Sequence, residues 1–141
     1  MHKYSNRIAG ISYVLWGAIH ILGGSVMVFA PGGAGGIEEI ITQSPAAIAG
    51  TSAIDAIAKY YAFNLAVLGA CAFGLGVSIL RSGKRLTHLA AMVLIGIVDL
   101  GLLLFLVLPG HLSLADGSPG LILFVTGALF SIRSLYEIRT R

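Results

Sequence analysis

Four apolar runs, each about as long as a bilayer is thick, dominate this 141-residue chain. A hydrocarbon core of roughly 30 Å is crossed by about 20 helical residues at 1.5 Å apiece. The runs extend from Ile8 to Ala30, Tyr60 to Leu80, Leu86 to Leu108 and Pro119 to Ile138, the last interrupted by Arg133 and Glu137. They predict an all-α polytopic membrane protein: an antiparallel up-down bundle of four transmembrane helices in a single domain, 1–141. Composition agrees. Hydrophobic residues make up 57% of the chain and charged ones 11%, against about 25% charged in ordinary globular proteins, and mean hydropathy is +0.92. Such a chain is too apolar to be disordered. Cys71 is the only cysteine, which excludes a disulfide-stapled module. The net charge of +3 comes from cations at the segment ends, so no groove-lining patch for nucleic acid is expected.

Lys3 and Arg7 ahead of a run ending Val28-Phe29-Ala30 imitate a secretory signal. The run is longer than the 7–15 residues of a signal core, however, and Pro31 would follow the cut. The first run therefore reads as a retained span. Lys and Arg favour the cytoplasmic side. Lys3 and Arg7 precede the first run, Arg81, Lys84 and Arg85 separate the second from the third, and Arg133, Arg139 and Arg141 close the chain. The other side keeps Lys59 beside Glu38, Glu39, Asp55 and Asp116. Both termini are expected in the cytoplasm, in a multi-pass protein of a bacterial inner (plasma) membrane. Arg133 is then a snorkelling residue at the inner surface.

The outer loop 31–58 opens with the flexible corner Pro31-Gly32-Gly33-Ala34-Gly35-Gly36. Ser44-Pro45 and the Ser52/Asp55 pair supply helix-start signals, so short helices on the outer face are expected, either as a connector or as a lid. The links 81–85 and 109–118 are short, which makes consecutive spans antiparallel neighbours.

Helices in lipid associate where small residues allow close approach. Ala62, Ala66, Ala70, Gly74 and Ser78 recur every four residues in the second run, and Gly10, Gly17 and Gly24 every seven in the first. These are the expected packing faces. His20 falls three residues after Gly17 and four before Gly24, and so points at a partner helix. Cys71, seven residues after Asn64, reads as a buried and inert thiol.

Depth along each run supplies a candidate site. His20 and Asp99 both lie roughly 20 Å from the cytoplasmic side, while Asn64 and Thr126 lie about 6–11 Å below the outer one. Asp99 is isolated in Val93-Leu94-Ile95-Gly96-Ile97-Val98-Asp99-Leu100-Gly101-Leu102. A carboxylate there costs on the order of 3 kcal/mol to insert, so it takes up a proton or finds a donor. His20 is the expected donor, with Asn64 and Thr126 completing the hydrogen bonds and Trp16 walling the cavity. The alternative is a polar clamp that fixes helix register. His88, beside Lys84 and Arg85, reads as interfacial, as do Tyr60, Tyr61 and Tyr136.

His20 and His88 differ too much in depth to share a haem, and no C-x-x-C-H, C-x-x-C or phosphate-loop pattern is present. Glu38, Glu39, His111 and Asp116 are only a weak metal set. No cofactor, resident metal or catalytic set is expected. Three functions fit: a binding or transport protein that takes a cation, proton or small polar solute from the outer side; a non-catalytic subunit of a larger membrane complex; and a membrane enzyme or quinone-handling protein using His20 and Asp99 as acid and base. Partners would be the lipid bilayer and a second copy or a larger complex.

Overall fold

The computed structural model describes residues 2–29 and 52–139. Among them it is all-helical: α1 (His2–Phe29), α2 (Ser52–Ser82), α3 (Arg85–Leu102), continued by a π-helical turn at Leu103–Val107, and α4 (Leu114–Arg139). Four of these stretches are long and apolar enough to cross a membrane. The part of the outer loop between 30 and 51, with its connector-or-lid alternative, falls outside the described residues. Residues from Ser52 onward belong to α2, which reaches the second apolar run as one uninterrupted helix of 31 residues.

The four helices alternate in direction, as cross-helix contacts record. A Cβ placed on Gly10, Gly17 or Gly24 of α1 would strike Gly76, Gly69 or Ala62 of α2, an antiparallel register in steps of seven. Along α4 the order is likewise reversed: Asn6 meets Ser134, Tyr13 meets Ser131 and Gly127, and His20 meets Gly120. Against α3 the order is parallel, Asn6 meeting His88 and Trp16 meeting Asp99. α1 thus runs through the middle of the bundle and packs most extensively on α2 and then α4. Both described ends of the chain lie at the end of the bundle that holds Lys3, Arg7, Arg81, Lys84, Arg85 and Arg133, called here the basic end.

The packing face of α2 differs from the expected ridge. Ala62 and Ala66 lie against Gly24, but Ala70 and Gly74 are exposed, a Cβ on Gly74 would meet nothing within 4 Å, and Ser78 is half-buried. A step of four residues turns about 40° past a full circle, so Ala62 to Ser78 winds about 160° around the helix, whereas a step of seven drifts only about 20°. The true contact line follows the smaller drift, through Ala62, Gly69 and Gly76. Cys71 shares the outward side and is exposed, not buried.

The ends of the helices have local causes. At the α2–α3 link Gly83 adopts φ +56°, and its amide returns to Ile79 O at 2.9 Å. A side chain there would be strained by the backbone and would also strike the Asn6 amide. α4 begins five residues ahead of the expected Pro119. The Ser113 hydroxyl accepts the Asp116 amide at 3.2 Å and donates to the Asp116 carboxylate at 2.5 Å, an N-cap that starts the helix at Leu114. Pro119 lacks the N–H that would reach Ala115 O, and the Ser118 hydroxyl bonds that carbonyl instead, at 2.9 Å.

The bundle is apolar outside and partly polar inside. Ile11, Leu15 and Leu22 of α1, Val93, Ile97 and Leu100 of α3, and Ile122, Val125 and Leu129 of α4 are exposed. Ser5, Ser12, His88, Asp99, Ser131 and Ser134 are buried. Water would penalise this distribution, but lipid favours it.

Candidate functional site

Two buried polar groups occupy the seam between α1, α3 and α4. The first surrounds Asp99, which is 2% exposed on α3 about 20 Å from the basic end. Its donor is Trp16, not the expected His20: the indole Nε1–H donates to Asp99 Oδ1 at 3.2 Å. The indole is fully buried. The His20 ring stacks on it, with centroids 3.6 Å apart and planes inclined by 18°. His20 joins the same constellation through this stack. The reason is the reach of the indole: Trp16 is a turn closer to the basic end on the same face, and its ring spans the α1–α3 gap that a shorter imidazole, drawn toward its own backbone, does not.

The tautomer of His20 follows from its partner. Nδ1 lies 2.7 Å from Trp16 O, which only accepts, so Nδ1 carries the proton and Nε2 of the neutral ring keeps its lone pair. That edge faces α4 at Gly120, where a Cβ would stand 3.3 Å from His20 Cε1 and 3.5 Å from Trp16 Nε1. A glycine here lets α4 close over the indole and imidazole together. Asp99 Oδ2, on the other side of the carboxylate, is buried and has no hydrogen-bond partner among the described residues. An ordinary buried polar atom is paired. The backbone next to it is irregular as well: Asp99 O accepts from Leu103, where the helix widens into the π-turn, a distortion frequent at functional sites.

Asn64 and Thr126 do not join this group. Asn64 donates to Tyr60 O of its own helix at 2.8 Å. It stands about 200° around α2 from both Ala62 and Ala66, on the back of the contact line. Thr126 is half-buried between exposed Val125 and buried Gly127, and no hydrogen bond joins it to Asp99 or His20. Depth along a helix leaves the angle around it open, and the angle keeps both residues away from Asp99.

The second group lies nearer the basic end, and sequence reasoning missed most of it. His88 is fully buried rather than interfacial. Its Nε2 is 3.1 Å from Asn6 Oδ1 and its Nδ1 is 2.9 Å from Ser131 Oγ. Ser131 Oγ lies 3.1 Å from the Tyr13 hydroxyl, and Ser134 donates to Asn6 Oδ1 at 2.5 Å. Because Asn6 Oδ1 only accepts, Nε2 donates. In the neutral ring Nδ1 then accepts from Ser131, which in turn accepts from Tyr13. The chain of donors runs in one direction through three helices. A signal for it exists in the sequence: Gly117, Gly120, Phe124, Gly127, Ser131 and Ser134 follow one another at alternating steps of three and four, the seam pattern of a packed helix.

At the surface, Arg133 is exposed and meets Glu137 at 3.3 Å, one turn along α4. Tyr60, Tyr61 and Tyr136 are exposed, as residues of an interfacial belt would be. No cluster of three or more potential metal ligands occurs among the described residues.

No protein-family model matches the chain, and neither the curated proteins nor the solved structures contain a significant match.

Proposed function

We propose that this chain is a multi-pass membrane protein, with its basic end in the cytoplasm, that takes a cation, a proton or a small polar solute at Asp99 from the opposite side. The observation carrying this reading is the half-satisfied carboxylate: Oδ1 is held by the indole of Trp16, while Oδ2 is buried without a described partner. A clamp evolved only to fix register would be expected to satisfy both oxygens, as the His88 group satisfies its own. Intramembrane acids are by default functional candidates. His20 is the base of the same site, and its free lone pair and Asp99 flank one indole. Trp16 is the only tryptophan in the chain, so its emission reports this site alone.

The test is an infrared and fluorescence titration of the purified protein in bilayers, with protons, monovalent and divalent cations, and small amines. The expected result is a carboxyl band that exchanges with solvent and a coincident change in Trp16 emission. Both should be lost in Asp99→Asn, which keeps the side-chain shape and the folded yield. A carboxyl band that never responds, or an Asp99→Asn protein that responds like the parent, would sink the reading.

A second reading, that the chain is one subunit of a membrane assembly, is favoured by the outward position of Ala70 and Gly74, small residues that α1 does not use. Cys71 lies on the same side and is the natural probe. Mild oxidation in native membranes is expected to yield a Cys71-linked dimer if that face pairs with a second copy. Monomer alone after oxidation counts against a homodimer whose contact runs through Cys71.

A further inference from the structure

At the basic end, between the start of α1 and the end of α2, a cleft of about 380 Å³ is lined by Lys3, Asn6 and Arg7 from α1 and by Ile79, Leu80, Arg81, Ser82 and Gly83. That volume falls within the range of small-molecule sites, about 300–1,000 Å³. Three cations, Lys3, Arg7 and Arg81, border it, and none has a carboxylate partner among the described residues. The apolar wall is Ile79 and Leu80, where the membrane-spanning part of α2 ends. α1 begins at this end and α2 ends here, so their terminal dipoles oppose one another and the positive charge of the cleft comes from its side chains. Gly83 lets the Asn6 amide lie close against the end of α2, where any side chain would collide with it.

We propose that this cleft binds a phosphate group, with the two guanidinium groups and the Lys3 ammonium neutralising its charge. Arg fits phosphate oxygens through paired N–H donors, and Lys acts as a point charge. At the boundary of the hydrocarbon the available sources are the headgroup of an anionic phospholipid, whose chains would run down past Leu80, and free phosphate from the aqueous side. Basic pockets between transmembrane helices hold anionic headgroups in this way. The site is separate from Asp99, which meets Trp16 at the middle of α1, and stands or falls independently of it.

The experiment compares two variants that each remove two cations from the same end, which keeps any effect on membrane orientation equal. Arg7→Gln/Arg81→Gln empties the cleft of its guanidinium groups. Lys84→Gln/Arg85→Gln removes equal charge beyond the residues that line it. Each protein, in non-ionic detergent, is titrated with short-chain phosphatidic acid, with inorganic phosphate and with short-chain phosphatidylcholine. Unchanged Trp16 emission confirms that the variants are folded. The expected result is saturable binding of phosphatidic acid to the parent, weakened at least tenfold by the cleft pair and less than twofold by the outside pair. Saturable binding of inorganic phosphate with the same dependence would assign the site to the free anion, and its failure to bind while phosphatidic acid binds would assign the site to lipid. Equal weakening by both pairs, equal binding of phosphatidylcholine, or no saturable binding of either phosphate probe would overturn the proposal.

Discussion

Gly17→Ala is expected to destabilise the bundle by about 3 kcal/mol, the upper part of the overpacking range. The added methyl would stand 2.5 Å from Gly69 O and 2.6 Å from Phe73 N. Both are main-chain atoms, so no rotamer change relieves the overlap, and α1 must separate from α2. Lipid offers no hydrophobic force to hold the pair at a greater distance, because the tails are as apolar as the helix surfaces. Gly69→Ala should behave alike, since its own methyl would meet Gly17 O and Ile21 N at 2.9 Å. Gly74→Ala has open space around it and should stay within about 0.5 kcal/mol of the parent. Equilibrium unfolding in mixed detergent micelles measures all three. Matching losses for Gly17→Ala and Gly74→Ala would show that the contact between the two helices follows the four-residue ridge after all.

The second large effect is expected at His88. Truncation to alanine removes hydrogen bonds to Ser131 and Asn6 and opens a void in the seam. Hydrogen bonds between membrane helices average only about 0.6 kcal/mol each, because the separated helices find other partners in the bilayer. Emptying a buried site of this size costs about 2–5 kcal/mol. The void therefore dominates, and His88→Ala should cost about 3 kcal/mol. Ser131→Ala breaks the same chain at its hub with almost no change of volume, and should cost about 1 kcal/mol. The same unfolding measurement separates the two contributions. If the serine variant lost as much as the histidine variant, hydrogen bonding and not packing would hold the seam. If neither lost stability, the donor chain from Tyr13 to Asn6 would not exist in the membrane.

How far each feature was legible depends on whether it is a matter of length or of angle. The ends of the helices, such as the start of α2 at Ser52, are not legible in the sequence, whereas the presence of four helices long and apolar enough to span a membrane and the heptad of Gly10, Gly17 and Gly24 are, because composition and spacing along one helix carry them. Asp99 stood out as costly for the same reason. The Ala62-to-Ser78 stripe is not the contact line because four is not the period of a helix, and small residues four apart wind around it. Asn64 and Thr126 lie near the height of Asp99 but not on its side of the bundle, and height is all that position along a helix carries. Pro119 is a strong signal for a first turn, but the Ser113 N-cap ahead of it, bonded to the Asp116 amide, is the one the helix uses.

By itself the sequence determined that the chain is helical, that it has four segments able to cross lipid, and that an acid is buried in the third. These follow from the rise per residue and the cost of placing charge in hydrocarbon. Only the tertiary structure decided that the indole of Trp16 reaches Asp99, that His20 lies on that indole, and that His88 binds Asn6 and Ser131. Which side chains meet depends on how each helix is rotated toward its neighbours, and that rotation is set by the close approach of α1 to α2 and α4 together, a property of the assembled bundle that no single helix contains.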